Sequence, residues 1–286
     1  MNDVPYEFCA QLAANLSPSG VRSLSQVYSS WSPALQSYDD KRVDVVFVIK
    51  DGAKRNTWLY AFRGRQRQYN FKELRQLDQR FLRISSINVV WKDFNMQTNW
   101  NPLANAAEAA RLITFVISQL ASSGKRIFFI NNISFPFLTT IVSSNHLFRV
   151  IDQTFVGPIS EEFVKRNLGY ATSVILGGKW PKSLQEPIER YVLSSQCREF
   201  SLKVMHSPEI RFELDFFKKF FAKLKTESIE EVFVCGRMAF RADDLSDFEV
   251  AAQRKRNSTQ MHWNVNGHAV DVMWSDDVTC VSARSI

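Results

Sequence analysis

The sequence predicts an α/β protein in which a short N-terminal helical unit precedes an irregular strand–helix solenoid closed by a C-terminal β-hairpin. Three observations carry this expectation. From residue 42 onward, β-rich runs alternate with segments whose apolar residues recur at helical spacing. Ahead of them lies an apolar stretch, VPYEFCAQLAANLSPSGVRSLSQVYSSW (4–31), broken by Ser17-Pro18-Ser19-Gly20. Behind them, Asn266-Gly267 sits between two alternating runs, the strongest short-range hairpin signal a sequence offers. The boundaries these features suggest are 1–38, 39–250 and 251–286.

In the opening stretch, Pro5 starts a helix that carries Phe8, Leu12 and Leu16 on one face. A second helix follows the break, with Val21, Leu24, Val27, Tyr28 and Trp31 on its apolar face, and Pro33 marks its end. So small a unit cannot bury that many apolar positions by itself. They must pack on the following domain or on another protein.

The strand candidates are VDVVFVI (43–49), SINVVW (86–91), KRIFFI (125–130), FRVIDQTFV (148–156), ATSVIL (171–176), REFSLKV (198–204) and EEVFVC (230–235). Val, Ile and Phe dominate them, as strands covered on at least one face require. Helical spacing marks 70–82, 102–124, 136–144, 160–167, 183–195 and 208–225. Ser160 stands before Glu161 and Glu162, acids suited to the positive end of a helix dipole. Pro102, Pro136 and Pro208 fall at expected helix starts, and Ser123-Gly124 at an expected end. Residues 50–69 read either as a hairpin with TWLYAF as its second strand or as an irregular insertion.

Such alternation implies parallel neighbours joined by right-handed crossovers. A doubly wound sheet and an open solenoid both satisfy it. The later strand centres follow one another at about 22 to 32 residues, a leucine-rich-repeat-like spacing, although the strict LxxLxLxxN pattern is absent. The solenoid is the first choice. The hairpin at 260–274 then caps its last repeat and protects the final edge.

Composition narrows the function classes. The 286 residues are 45% hydrophobic and 23% charged, which is ordinary for a folded chain, and 23 Phe with 7 Trp point to aromatic packing or anchors. No long uncharged apolar run suggests a membrane span, and Asp3, Pro5 and Glu7 spoil the opening as a signal peptide. An intracellular protein, cytoplasmic or nuclear, is expected. The four cysteines are scattered with no CxxC, so free buried thiols in a reducing compartment are expected. The net charge of +7 is spread over KDGAKR (50–55), RGRQRQ (63–68), FKKFFAKLK (217–225) and QRKR (253–256). Such clusters read as solvated faces, and as a nucleic-acid surface only if they converge in space.

Signatures of catalysis are missing: no GxGxxG, GxxxxGK[ST], HExxH or GxSxG occurs. Gly177-Gly178 reads as a plain turn. His262 and His268 straddle the hairpin and could face each other, but two histidines make a weak metal site. Asp39-Asp40, Asp243-Asp244 and Asp276-Asp277 read as solvated loops. Trp58, Trp91, Trp100 and Trp180 fall near strand ends, where core packing competes with a binding role. No catalytic site, metal or cofactor is expected.

The order Val4-Pro5, Phe8, Leu12 and Leu16, a short break, then Val21, Leu24, Val27 and Trp31 resembles an F-box, over about residues 3–38. The length and layout of the whole are similar to nematode-type F-box-like families with a C-terminal α/β repeat domain. That resemblance implies a non-catalytic substrate receptor of a cullin-RING ubiquitin ligase. It implies that Pro5, Phe8, Leu12, Leu16, Leu24, Val27 and Trp31 form or support the helices that bind a Skp-type adaptor. The C-terminal domain would hold a protein substrate. The other readings left open are a repeat scaffold whose box serves only as a cap, and a basic α/β protein that binds nucleic acid.

Overall fold

The computed structural model describes residues 6–16, 18–27, 31–52, 57–90, 98–120, 126–129, 139–141, 144, 146–203, 209–227, 229–240, 244, 255–257, 260–274 and 279–285. The chain divides into two compact units, Met1–Phe148 and Arg149–Ile286. The helical stretch expected over 1–38 belongs to the first, and the hairpin expected after 250 to the second.

The first unit opens with three helices, α1 (Tyr6–Asn15), α2 (Pro18–Val27) and α3 (Ser32–Lys41). The sequence suggested two. Pro33, taken there as a stop, instead sits in the first turn of α3, where its missing N–H removes no helical hydrogen bond. Next come β1 (Val43–Asp51), β2 (Trp58–Gly64), β3 (Gln68–Tyr69), α4 (Phe71–Gln76), β4 (Leu82–Val90), β5 (Asn101–Leu103), α5 (Ala106–Ser118) and β6 (Arg126–Phe129). Parallel pairing joins β1 to β4 and β4 to β6. β2 returns antiparallel along β1, which settles the 50–69 segment as a hairpin, and its outer edge takes both β3 and β5. The alternation of β1 and β2 puts Phe47 between Tyr60 and Phe62, with ring centroids 6.5 and 5.1 Å away, and all three side chains are buried. Each such side chain contributes roughly 1.5–3 kcal/mol through burial.

Two helix starts differ from expectation. Asn70 and Glu73 form a reciprocal capping box, so α4 begins at Phe71, and it lasts six residues. Pro102 lies within β5, and α5 begins after Asn105, whose side chain accepts from the Glu108 N–H at 2.9 Å. A short polar side chain that can take an N–H outweighs the proline as a start signal here. Ser123-Gly124, Pro136 and Pro208 lie outside the described residues.

The second unit runs β7 (Val150–Thr154), α6 (Pro158–Leu168), β8 (Ser173–Gly177), α7 (Gln185–Leu193), β9 (Glu199–Lys203), β10 (Arg211–Phe212), α8 (Leu214–Leu224) and β11 (Glu231–Met238). It closes with β12 (Lys255–Asn257), β13 (Gln260–Val265), β14 (His268–Trp274) and β15 (Thr279–Ser285). β7, β8, β9 and β11 are parallel neighbours in chain order. From β11 the sheet continues antiparallel through β15, β14, β13 and β12. Among the described residues of each unit the parallel strands follow one another across the sheet in chain order, without the reversal of a doubly wound order. Right-handed crossovers that always advance the same way leave their helices on one face, and α6 touches α7 as α7 touches α8.

Helix α6 starts at Pro158, earlier than the Ser160 cap suggested. Gly157 ahead of it adopts φ +127°, open to glycine and few others. Ser160 is fully buried, and its Oγ accepts from the Val156 N–H at 3.1 Å. At α8 the helical spacing buries Phe216, Phe217, Phe220, Phe221 and Leu224. Lys223 departs from the solvated reading of its cluster: it is 7% exposed and donates to Val192 O, at 2.8 Å, and to Ser194 O, carbonyls at the end of α7.

The hairpin forms as expected, with Asn266 at φ +47° and Gly267 at φ +79°, the pair of positive values a type I′ turn needs. It does not meet β11 directly, because β15 lies between them. That placement sets Cys235 opposite Cys280, and the two form a disulfide. The expectation of four free thiols therefore holds only for Cys9 and Cys197, both buried.

Candidate functional site

The N-terminal helices build a small core of their own. Ala13 of α1, Val21 of α2 and Leu35 and Tyr38 of α3 are buried together, and Leu16, Leu24, Trp31 and Phe81 pack against them. Polar ties bind this core to the start of β4. The Tyr38 hydroxyl donates to Arg80 O at 3.0 Å and accepts from Arg83 Nη2 at 2.6 Å. Arg42 Nη1 donates to Leu16 O at 2.8 Å, taking up a carbonyl just past the end of α1. Burial raises the Tyr38 pKa, against the opposing pull of Arg83 and Arg42.

Above that core, α1 presents aromatic side chains outward. Tyr6 is 52% exposed and Phe8 50% exposed, with Glu7 and Gln11 beside them. Phe8 stands edge-on to Trp31 at 6.1 Å. Next to α1 runs a groove of about 440 Å³ lined by Tyr6, Glu7, Gln11, Tyr38, Arg80, Phe81 and Arg83. Its rim is cationic: Lys41 and Arg80 each lie 5.6 Å from the Phe81 ring centre. The Arg80 guanidinium, hydrogen-bonded to Asp78, holds that exposed carboxyl at about 2. Aromatic faces edged by guanidinium groups suit the docking of a partner helix or chain segment.

The residues expected to bind an adaptor thus divide. Phe8 is at the surface; Leu12 is half-buried; Leu16, Leu24 and Trp31 are half-buried against the helices' own core. Val27 ends α2, with its side chain outside the described residues, and Pro5 lies outside them as well. Tyr6, Tyr38 and the groove arginines were missed. The missed signal was Ala34, Leu35 and Tyr38, an apolar set at helical spacing directly after Ser32-Pro33.

Other candidates resolve as follows. His262 and His268 lie on opposite faces of the hairpin. His262 Nδ1 meets Asp271 Oδ1 at 2.8 Å, while His268 is buried, with Nε2 accepting from the Ile229 N–H. Among the described residues no group of three or more His, Cys, Asp or Glu could hold a metal ion. Trp58 and Trp180 are core residues, Trp100 lies under Lys50 Nζ at 4.5 Å, and Trp91 is outside the described residues. Asp39 and Asp40 lie in α3 and not in a loop; Asp243, Asp276 and Asp277 are outside the described residues. Arg63 lies in β2 and Arg65 and Arg67 in the β2–β3 turn of the first unit, and Lys218 in α8 of the second. No helix among the described residues is long and apolar enough to cross a membrane. Comparison with family models, curated proteins and solved structures gave no match.

Proposed function

We propose that the protein is a non-catalytic substrate receptor of a cullin-RING ubiquitin ligase, with an F-box-like unit that binds a Skp-type adaptor through α1 and α2. The second unit, an irregular leucine-rich-repeat-like strand–helix array with a hairpin cap, holds the protein substrate. The observation that carries this reading is the outward placement of Tyr6 and Phe8 over a helical core that is already closed beneath them. Large aromatics left in water on a terminal helix are what a partner groove needs as anchors.

The test is co-purification of the full-length protein with a Skp-type adaptor, comparing wild type with Phe8→Asp. Phe8 is half in solvent, so the substitution spares the core, whereas Leu24→Asp strikes it. A wild-type complex lost in a folded Phe8→Asp protein supports the receptor reading. A well-folded wild type that binds no adaptor refutes it.

A specific observation favours one other reading, in which the helices only cap the sheet of the first unit, to which they belong. Leu16, Leu24 and Trp31 pack on the local core, and Tyr38 and Arg42 tie α3 and α1 to the sheet. Under that reading, removal of residues 1–41 abolishes folding and the wild type binds no adaptor.

A further inference from the structure

The sheet of the second unit has two unlike faces. Helices cover one: Gln153 reaches Ser160 of α6, Phe200 meets Tyr191 of α7 and Trp263 meets Phe221 of α8. On the other face, the described side chains of β11, β15 and β14 are half-buried or exposed, apart from Ala269. Register brings three sulfur-bearing side chains into one row there. Cys235 on β11 lies opposite Cys280 on β15, with Cα atoms 4.1 Å apart, and Cys280 lies opposite Met273 on β14. Directly opposed residues share a face of the sheet, so all three point to the open side. The row runs on to Lys203 on β9 and Gln260 on β13, whose side chains lie outside the described residues.

Three features of the row point to a soft metal ion. The chain has four Cys and six Met, and three of these stand side by side here. The two cysteines outside the row, Cys9 and Cys197, are buried, whereas Cys235 and Cys280 are half-buried, within reach of a soluble thiol or ion. Met273 is 44% exposed, on a strand that places Val270 and Val272 in the core. Its thioether gains nothing from water but can donate to a soft cation. Two thiolates with a thioether select Cu(I). Zinc closes its structural sites with four N, S or O ligands, and the carboxylate two residues along β14, Asp271, already meets His262 at 2.8 Å.

We propose that Cys235, Cys280 and Met273 form a Cu(I) site when the Cys235–Cys280 bridge is reduced, so that bridge and metal are alternative states of one cysteine pair. Two molecules of a thiol such as glutathione cleave the S–S bond. The bridge takes up two electrons and two protons, and the thiol leaves as its own disulfide. Cu(I) then displaces both thiol protons to solvent and binds the two sulfurs, with no change in its oxidation state. The geometry suits this. Two thiolates, each about 2.3 Å from a shared ion, stand up to about 4.6 Å apart, a span that Cβ atoms about 4.5–5.5 Å apart across neighbouring strands allow. The ion sits over the central strand β15, and Met273, unbranched and freely rotating, reaches it from β14. The proposal is independent of adaptor binding.

The test is an anaerobic titration of full-length protein, reduced with dithiothreitol and desalted, against the coloured Cu(I) complex of bicinchoninate. Loss of colour counts the ions that pass to the protein. Reduced wild type is expected to withdraw one Cu(I) that neither Cys280→Ser nor the bridged wild type takes up. Loss of a direct ligand is expected to weaken binding by more than the roughly 10–100-fold that outer-shell partners cost. Met273→Leu keeps the size of an exposed side chain and so spares the fold. It is expected to weaken binding by about tenfold or more, and copper-edge X-ray absorption is expected to show three sulfur neighbours in wild type and two in this variant. Circular dichroism checks that each protein folds, and Met273→Leu decides the matter should Cys280→Ser not fold. Equal uptake by wild type and folded Cys280→Ser assigns the metal to Cys9 or Cys197 and overturns the proposal. Unchanged binding by Met273→Leu, no uptake by reduced wild type, or unfolding on reduction that Cu(I) does not reverse overturns it as well.

Discussion

Raising the pH from 8 to 11 titrates a thiol that the fold holds neutral, and the cost can be worked out. Cys197 is buried beside Tyr191 and Lys223, and burial pushes its pKa from 9.0 up to about 11, against the pull of the Lys223 ammonium. In the unfolded chain the thiol ionises first. Between those two values the unfolded state therefore binds fewer protons than the native state, so stability falls as pH rises. The contribution is fully present below about pH 9 and lost by about pH 11. Two pH units at about 1.36 kcal/mol each amount to roughly 2.7 kcal/mol. Other groups titrate in this range. Burial lowers the Lys223 pKa, which makes stability rise with pH, and raises those of Tyr38, Tyr60 and Tyr191, which makes it fall above about 10. Tyr38 and Tyr60 are common to wild type and Cys197→Ala and cancel, so the difference between the two proteins reports the thiol together with its influence on Tyr191 and Lys223, whose shifts it shares. Urea unfolding followed by tryptophan fluorescence at half-unit pH steps provides the measurement. The stability advantage of the wild type is expected to shrink by about 2–3 kcal/mol between pH 9 and 11. An advantage that stays constant from pH 8 to 11 refutes the argument.

Two further outcomes follow from the hairpin end of the second unit. The Cys235–Cys280 bridge spans 45 residues, for which loop-closure entropy suggests up to about 4 kcal/mol. Cys280→Ala is expected to lower the unfolding free energy by about 2–4 kcal/mol, with dithiothreitol destabilising wild type and not the variant; equal behaviour in reductant sinks this. Gly267→Ala forces a β-carbon into φ +79°, at a cost of about 1–2 kcal/mol. That shows as a lower midpoint in the same urea assay, whereas Gly169→Ala, at φ −68°, supplies the control without such strain.

The parallel strands were legible because buried strands leave short runs of Val, Ile and Phe, and the helices because their apolar faces recur every three to four residues. Punctuation was less legible, since the same residue type serves opposite ends. Pro33 reads as a stop and works as a start; Pro102 reads as a start and lies in a strand. β15 escaped notice because TCVSARS alternates small and polar residues, and only its place between β11 and β14 makes Val281 and Ala283 core. The disulfide escaped for the same reason: the pairing of Cys235 with Cys280 is a fact of register between strands 45 residues apart. At the candidate site, periodicity placed Phe8, Leu12 and Leu16 on one stripe. It could not say which of them a third helix would cover, because that helix was not seen.

The choice between a receptor and a mere cap turns on what the terminal helices show to water. A terminal unit that only closes a repeat array needs a polar outer face. α2 meets that description: Ser19, Arg22, Ser23 and Gln26 are exposed along it. α1 does not, since its exposed residues include Tyr6 and Phe8 as well as Glu7 and Gln11. Phe8 rests edge-on against Trp31 and the Tyr6 hydroxyl donates to Ser37 Oγ at 3.3 Å, yet about half of each side chain stays in water. Ala13, Val21, Leu35 and Tyr38 close the core from below, and Tyr38 and Arg42 supply the ties to the sheet. Exposed aromatic area is retained at a cost of about 25 cal/mol for each Å² that burial would remove from water, and a cap gains nothing from it. A partner that covers the rings does, which is why the outer face of α1, more than the closed core beneath it, favours the receptor.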